Sequence, residues 1–363
     1  MIITVLGGGN GSFAAAADLT LAGHEVRLWR RDEEQVSAHR AAGGTIKLIE
    51  GRKEAVATLH TITSSIAEAL AGAELVLCPL PAFAQDSIAQ LAAPHLEDGQ
   101  VVFLPPGTFG SYVFAKAVKD AGGSTDVAFA ETGTLPWLAR KKSAYEVRLS
   151  GRGVRLPTGV FPQSKSAHAL EVIGRAFPGA IEDCGDALSA ALMNAGPIIH
   201  PPLIVMNAAA IEHFDTWDIH TEGTQPAVRR VTDALDRERI VVREAFGYGA
   251  PHFPLANHYN KTGEMWMYGR EDHDTISETR DWNESLDLAT HRYMLEDTRM
   301  GLSLLSSFGA LAEVATPLVN GFMAIGGAIV GEDFMKTGRS RSALGLDHLD
   351  RDQLRNLLVE GFK

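Results

Sequence analysis

The stretch VLGGGNGS, residues 5–12, constrains this chain more than any other. It follows a short apolar run, residues 2–7, and opens into an Ala-rich segment, residues 12–23, that stops on Gly23. Gly7, Gly9 and Ser12 hold the spacing of the G-x-G-x-x-G/A turn between a strand and a helix. The first glycine permits the tight turn, the second lets a diphosphate approach the backbone, and a small third residue lets helix and strand pack closely. The helix N-terminus then points its N–H groups at the diphosphate. Gly7, Gly9, Asn10, Gly11 and Ser12 are therefore the expected dinucleotide-binding residues.

The end of the second strand selects the dinucleotide. An acid there holds the ribose hydroxyls of NAD, whereas an arginine suits the 2′-phosphate of NADP. The second strand-like run, residues 24–31, closes with Trp29-Arg30-Arg31, followed by Asp32. If the strand ends near Trp29, Arg30 takes the acid's place with Arg31 beside it, and their guanidinium forks fit a phosphate. This favours NADP. Asp32 lies at a spacing that keeps NAD as the alternative, and two solvated arginines on a turn is the plainer reading. Pro81 and the pair Gly107 and Thr108 sit in turns after later strands, where an open parallel sheet binds its ligand, and are placed near the nicotinamide half.

Up to about residue 180, strand-like and helix-like runs alternate (73–81, 99–107 and 126–133 among the strands), which predicts βαβ units and a mainly parallel sheet. Residues 145–162 read as a hairpin turning near Gly151 or Gly153. From about residue 186 strand signals nearly vanish and helical patterns cover 187–212, 224–246, 283–310, 311–330 and 351–361. The fold class is therefore α/β: a Rossmann-type domain over residues 1–185, then an all-helical domain over 186–363. The turn-rich, aromatic segment 247–282 reads as an insertion beside a functional site.

Composition narrows the partners. A net charge of −12 and the lack of a basic stripe argue against nucleic acid, and any anionic substrate needs local positive groups. Two separated cysteines, Cys78 and Cys184, suggest buried thiols rather than a disulfide framework. The thirteen histidines show no ligand spacing for a metal. The first residues show no basic n-region or cleavage site, which reads as a cytoplasmic protein. Residues 316–331 fall short of a membrane span and contain Pro317 and Asn320. They read as a buried helix in a core or at a homodimer interface.

The run MNAGPIIHPPLIVMNAAA, residues 193–210, is apolar except for His200, which stands directly before Pro201 and Pro202. Two prolines predict a break there, freeing His200 from the packed face. Taken alone, a histidine in this setting is more simply a satisfied core residue. Further on, Arg292 and Glu296 read as an i,i+4 ion pair on a solvated face. A hydride-transfer enzyme would need a histidine as acid/base, a carboxylate to orient it and an arginine for a substrate carboxylate. Spacing does not decide between these readings. Arg292 and Asp297 also sit roughly 140° apart on an ideal helix.

Several motifs together resemble the octopine/nopaline (opine) dehydrogenase family, in particular its bacterial N-(1-carboxyethyl)-norvaline dehydrogenase type. They are GGGNGS, PPGTFGS (105–111), ETGT (131–134), NAGPIIHPPLIVMNAA (194–209), RYMLEDTRMGL (292–302) and the closing TPLV…DF…GRS…LGL, so the resemblance spans essentially the whole chain. It implies that His200 is the catalytic acid/base paired with Asp297, that Arg292 holds the 2-keto acid carboxylate, and that Glu131 and Thr132 line the site. The implied reaction is NAD(P)H-dependent condensation of a 2-keto acid with the amine of an amino acid. The chain departs from the family pattern in Ser12 at the third glycine position and in Arg30. The stretch EMWMYGR, residues 264–270, has no counterpart there and is expected to help choose the amine.

Reductases of unaminated keto or hydroxy acids, such as ketopantoate reductase and glycerol-3-phosphate dehydrogenase, rely on a lysine. No lysine lies in residues 189–210 or 286–302. A non-catalytic NADP-binding sensor is the alternative of a different class. It has no reason to keep His200, Asp297 and Arg292 together.

Overall fold

Short apolar strands separated by helices build the first half of the chain, as expected of strands buried on both faces. In the computed structural model, which describes residues 1–123, 126–260, 262–269 and 286–362, twelve strands follow in order. They are β1 (Ile2–Leu6), β2 (Glu25–Trp29), β3 (Thr45–Glu50), β4 (Lys53–Thr58), β5 (Thr61–Thr63), β6 (Leu75–Leu77), β7 (Val101–Leu104), β8 (Ala128–Thr132), β9 (Trp137–Ser143), β10 (Glu146–Arg152), β11 (Leu156–Phe161) and β12 (Ile181–Asp186). Eight form one sheet in the order β12-β11-β8-β7-β6-β1-β2-β5. It is parallel except where β11 meets β8. The order reverses at β1, which has β2 on one side and β6 on the other, so the ligand crevice of such a sheet opens beyond β1 and β6.

The remaining strands form a second sheet, β4-β3-β10-β9. It corrects the hairpin expected over residues 145–162. β10 pairs with β9 and β3, while β11 pairs with β8 and β12 in the other sheet, so neither has an edge left for its sequence neighbour. The hairpin is β9–β10, turning at Ala144 and Tyr145. This sheet is fixed to the helix Asn10–Leu21 by polar contacts on Asp18. Trp137 Nε1–H donates to Asp18 Oδ2 at 2.7 Å, and the Arg152 guanidinium reaches both Asp18 Oδ1 at 2.7 Å and Glu50 Oε1 at 2.6 Å.

The chain forms two compact units, Met1–Ala191 with Leu358–Lys363, and Leu192–Leu357. Where the sequence draws its boundary after residue 185, β12 runs on to Asp186, and the fully buried helix Ala187–Ala191 follows within the first unit. The second unit is built from helices, chiefly Gly196–Val205, Ala208–His213, Pro226–Ala245, Leu302–Leu311 and Pro317–Val330, and a π-helix over Tyr293–Gly301, while the helix Arg351–Glu360 begins in it and ends in the first. Residues 187–205 are long and apolar enough to cross a membrane, but 72% of that window is buried in the protein. Cys78 is fully buried, which pushes its thiol up to about 12, whereas Cys184 is partly exposed.

The break expected at His200 does not occur there. The helix Gly196–Val205 runs through Pro201 and Pro202. These prolines deny Pro197 and Ile198 their i+4 donors, and an interior proline costs about 3 kcal/mol. Burial of Pro197, Ile198, Pro201, Pro202, Leu203 and Ile204 offsets that cost. The chain breaks on either side instead. Asn194 Oδ1 accepts from Gly196 N–H at 3.0 Å before the helix, and Asn207 Nδ2 donates to the Leu203 carbonyl at 2.8 Å after it.

Candidate active site

His200 lies midway along Gly196–Val205 with a side chain 15% exposed, so it belongs neither to the core nor to open solvent. Its Nδ1 is 2.7 Å from Asp297 Oδ2, across 97 residues of sequence. An ionised Asp297 accepts from Nδ1–H and leaves Nε2 as the atom that gives or takes a proton. The Tyr293 ring stacks on the imidazole at 3.7 Å between centroids and 12° between planes. His291 in turn meets Tyr293 edge-on at 4.4 Å.

Asp297 and Tyr293 both come from the π-helix, whose i→i+5 bonding widens each turn. Leu302 N–H donates to the Asp297 carbonyl, and Thr298 Oγ1 donates to the Tyr293 carbonyl at 2.9 Å, both spanning five residues. That register removes the angular difficulty of an ideal helix: Arg292 and Asp297, five apart, are about one π-turn apart. The Arg292 guanidinium, just before the π-helix, is 45% exposed, with Nε 3.3 Å from Glu296 Oε2. The ion pair foreseen on a solvated face is therefore half right, because Glu296 is buried while Arg292 reaches solvent. Burial pushes the Asp297 carboxyl up to about 7, against the opposing pull of Arg292 and His291.

Two glycines inside the sequence motifs make this geometry possible. A Cβ on Gly196 would overlap Asp297 Oδ1, and a Cβ on Gly301 would overlap Pro197. The π-helix and the His200 helix thus approach closely only because both positions lack side chains. Tyr293, Gly196 and Gly301 are absent from the residues the sequence singled out for function. They stood within the quoted motifs, and only their packing reveals what they do.

In the first unit, the glycine turn fits a dinucleotide. Gly7 has a φ of 106°, which a side chain would strain, and a Cβ there would strike Leu80 and Ser12. Nothing lies within 4 Å of a Cβ built on Gly9, which leaves its face open for a diphosphate. The first turn of the helix Asn10–Leu21 carries no acidic residue. Ser12 Oγ donates to the Leu6 carbonyl at 3.1 Å, tying the helix to β1 as a third small residue should. Gly11 lies against Pro79 and Leu135, so the turn before Pro81 packs directly on the glycine turn. Asn10 is partly diverted, because its Oδ1 accepts from Lys141 N–H at 2.9 Å.

β2 ends at Trp29, so Arg30 does stand where an NAD enzyme keeps its acid. The two arginines diverge from there. Arg30 is buried, donates to Gln35 Oε1 and lies 5.5 Å from the Phe13 ring, whereas Arg31 is exposed. Asp32 caps the helix Glu33–Ala41 by accepting from Gln35 N–H at 3.1 Å. Its local role accounts for its place in the sequence.

Gly107 and Thr108 follow β7, where Thr108 and Phe109 have φ of 53° and 65°, a left-handed excursion that non-glycine residues seldom make. Glu131 holds this loop. Its Oε1 accepts from Phe109 N–H at 2.7 Å, and its Oε2 accepts from Ser111 N–H at 3.0 Å and from the Ser111 hydroxyl. A Cβ on Gly107 would overlap the Glu131 carboxylate. Thr132 Oγ1 donates to the Pro157 carbonyl at 2.8 Å. Both side chains are fully buried; Glu131 braces the loop that follows β7, and Thr132 ties β8 to β11. Of the aromatic stretch 264–270, Trp266 is buried and donates to the Phe253 carbonyl at 3.1 Å, while Arg270 lies outside the described residues.

Residues 183–330 match the family model described as NAD/NADP octopine/nopaline dehydrogenase, alpha-helical domain. Residues 2–110 match that of the NAD-dependent glycerol-3-phosphate dehydrogenase N-terminus. The opine dehydrogenase of Arthrobacter sp. (strain 1C) is 30% identical over 363 residues, covering 97% of each chain. A solved octopine dehydrogenase with NADH and L-arginine shares the fold at a TM-score of 0.76 and 19% identity, over 100% of this chain and 98% of that one; its pyruvate complex gives 0.71. A yersinopine dehydrogenase bound to NADP+ gives 0.69 at 15% identity, over 99% and 98%. A nucleotide-binding sheet, a helical unit carrying a carboxylate-paired histidine, and full-length identity at this level lead to one conclusion: the chain belongs to the opine dehydrogenase family of NAD(P)-dependent oxidoreductases acting on CH–NH bonds.

Proposed function

We propose that this protein joins a 2-keto acid to the amine of an amino acid, with His200 as acid/base, Asp297 as its partner and Arg292 as the carboxylate clamp. The observation that carries the reading is the 2.7 Å contact between His200 Nδ1 and the buried Asp297 carboxylate. The pyruvate and L-arginine complexes of octopine dehydrogenase support these two substrate classes.

Condensation of the keto carbonyl with the amine expels water and leaves an imine. Bound NAD(P)H supplies the hydride that reduces the imine carbon. His200 Nε2 gives the proton that the departing oxygen needs and takes one from the attacking amine, while Asp297 stabilises the imidazolium between these steps. Arg292 fixes the keto acid carboxylate with its exposed guanidinium edge. Tyr293, stacked on the imidazole, restricts its rotation. Gly7, Gly9, Gly11, Ser12 and the amide of Asn10 would hold the diphosphate, with Pro81, Gly107 and Thr108 shaping the crevice beyond β6 and β7. Arg30 replacing an acid supports NADP(H) over NAD(H).

His200→Ala should cut turnover roughly 100-fold or more with cofactor affinity retained. Near-normal turnover overturns the assignment of His200. Initial rates of NADPH and NADH oxidation with pyruvate or 2-oxoglutarate, with and without a panel of amino acids, test the reaction. Oxidation with keto acid alone, unaffected by any amine, overturns the condensation.

A further inference from the structure

Lys141 belongs to β9, outside the nucleotide-binding sheet, yet it reaches the glycine turn. Its backbone N–H is held by Asn10 at the start of the first helix. Its ammonium lies 4.0 Å over the Phe13 ring and 3.5 Å from the Gly8 carbonyl. Arg30 approaches the same ring, and a Cβ on Gly8 would sit 2.9 Å from Arg30 Nε. Two cations from different sheets thus share one aromatic ring at the end of β2.

We propose that Lys141 and Arg30 together form a 2′-phosphate site, so that the second sheet, through Lys141, makes this an NADP(H)-preferring enzyme. The inference rests on the dinucleotide reading of the glycine turn. Among the described residues, neither cation has a carboxylate at ion-pairing distance. The nearest acid in sequence, Asp32, is engaged by the backbone and side chain of Gln35. The pair is also costly without an anion: burial, then the charge of Arg30, holds the Lys141 ammonium below its usual value. A phosphate dianion between the two side chains would relieve that repulsion and satisfy both donors. Asn10, Asp18 and Arg152 fix the second sheet on the first helix, so Lys141 is placed by the fold rather than by chance rotation of a surface side chain.

The test is titration of NADPH and NADH by nicotinamide fluorescence against the full chain, its Lys141→Met variant and its Lys141→Arg variant. The wild type should bind NADPH about tenfold or more tighter than NADH, since one charge-assisted contact is worth roughly that factor. Lys141→Met should lose about tenfold in NADPH affinity with NADH affinity unchanged, and Lys141→Arg should keep most of the preference. 2′,5′-ADP should compete with NADPH, and should do so more weakly against Lys141→Met. Unchanged NADH binding reports that the variant is folded. Equal losses for both cofactors would assign Lys141 to the diphosphate and overturn the proposal, as would no loss or a wild-type preference for NADH. These are binding measurements, so a failure of the condensation reaction would appear separately, as absent turnover with the preference intact.

Discussion

Asp297 is a carboxyl group almost fully removed from water, and this sets how its pair with His200 responds to pH. Burial raises its pKa to about 7, far above the value of an exposed aspartate. A carboxyl raised in the fold stabilises most below its unfolded value, and that contribution is lost as pH climbs through the folded one. The wild type should therefore lose stability through this group between about pH 4 and 7. Asp297→Asn, which cannot ionise, should show a flatter dependence of melting temperature from pH 5 to 8. The same variant removes the counter-charge of the imidazolium. Its reductive kcat/KM should fall roughly 100-fold, with the alkaline limb of the profile moved to lower pH. An unshifted limb would mean that Asp297 does not act through His200.

At the scale of elements, the two helices that carry the pair meet through glycine. Gly301→Ala puts a methyl group into Pro197, and overpacking of this kind costs about 1–3 kcal/mol. We expect a lower melting temperature and a loss of turnover in this variant with NADPH affinity kept, because the damage is confined to the second unit. Equal losses in turnover and cofactor binding would count against that localisation. The elements themselves were unevenly legible in the sequence. β1, the glycine turn and the end of β2 at Trp29 follow from local spacing. The β9–β10 hairpin and the second sheet do not, because β10 finds β3 about a hundred residues away and local alternation carries no trace of that partner. The π-helix was hidden because a pattern with its longer turn reads as a faulty α-helix. The uninterrupted helix through Pro201 and Pro202 was hidden because tertiary burial outweighed a local rule. Glu131 shows the same limit at a site: motif resemblance alone singled it out, and its hold on the N–H groups of Phe109 and Ser111 left no trace in local pattern.

At the scale of the whole molecule, the change from alternating to purely helical patterns marks the two units, but it does not reveal that the chain comes back to the first. Leu358 is buried, and Phe362 packs on Tyr112 and Phe161 at 5.6 and 5.5 Å. Removing residues 358–363 should cost the first unit about 3 kcal/mol of apolar burial, a fall of roughly 5–10 °C in its melting transition. Calorimetry that finds the first unit's transition unmoved would show the returning segment to be ornamental. The second unit is, in topological terms, an insertion between two parts of the first. During synthesis the cofactor-binding unit therefore cannot be completed when its sheet leaves the ribosome. It must wait with its place for Leu358 and Phe362 unfilled until all of the helical unit has been made, so no nascent chain can present a finished dinucleotide-binding unit without the helices that accompany it.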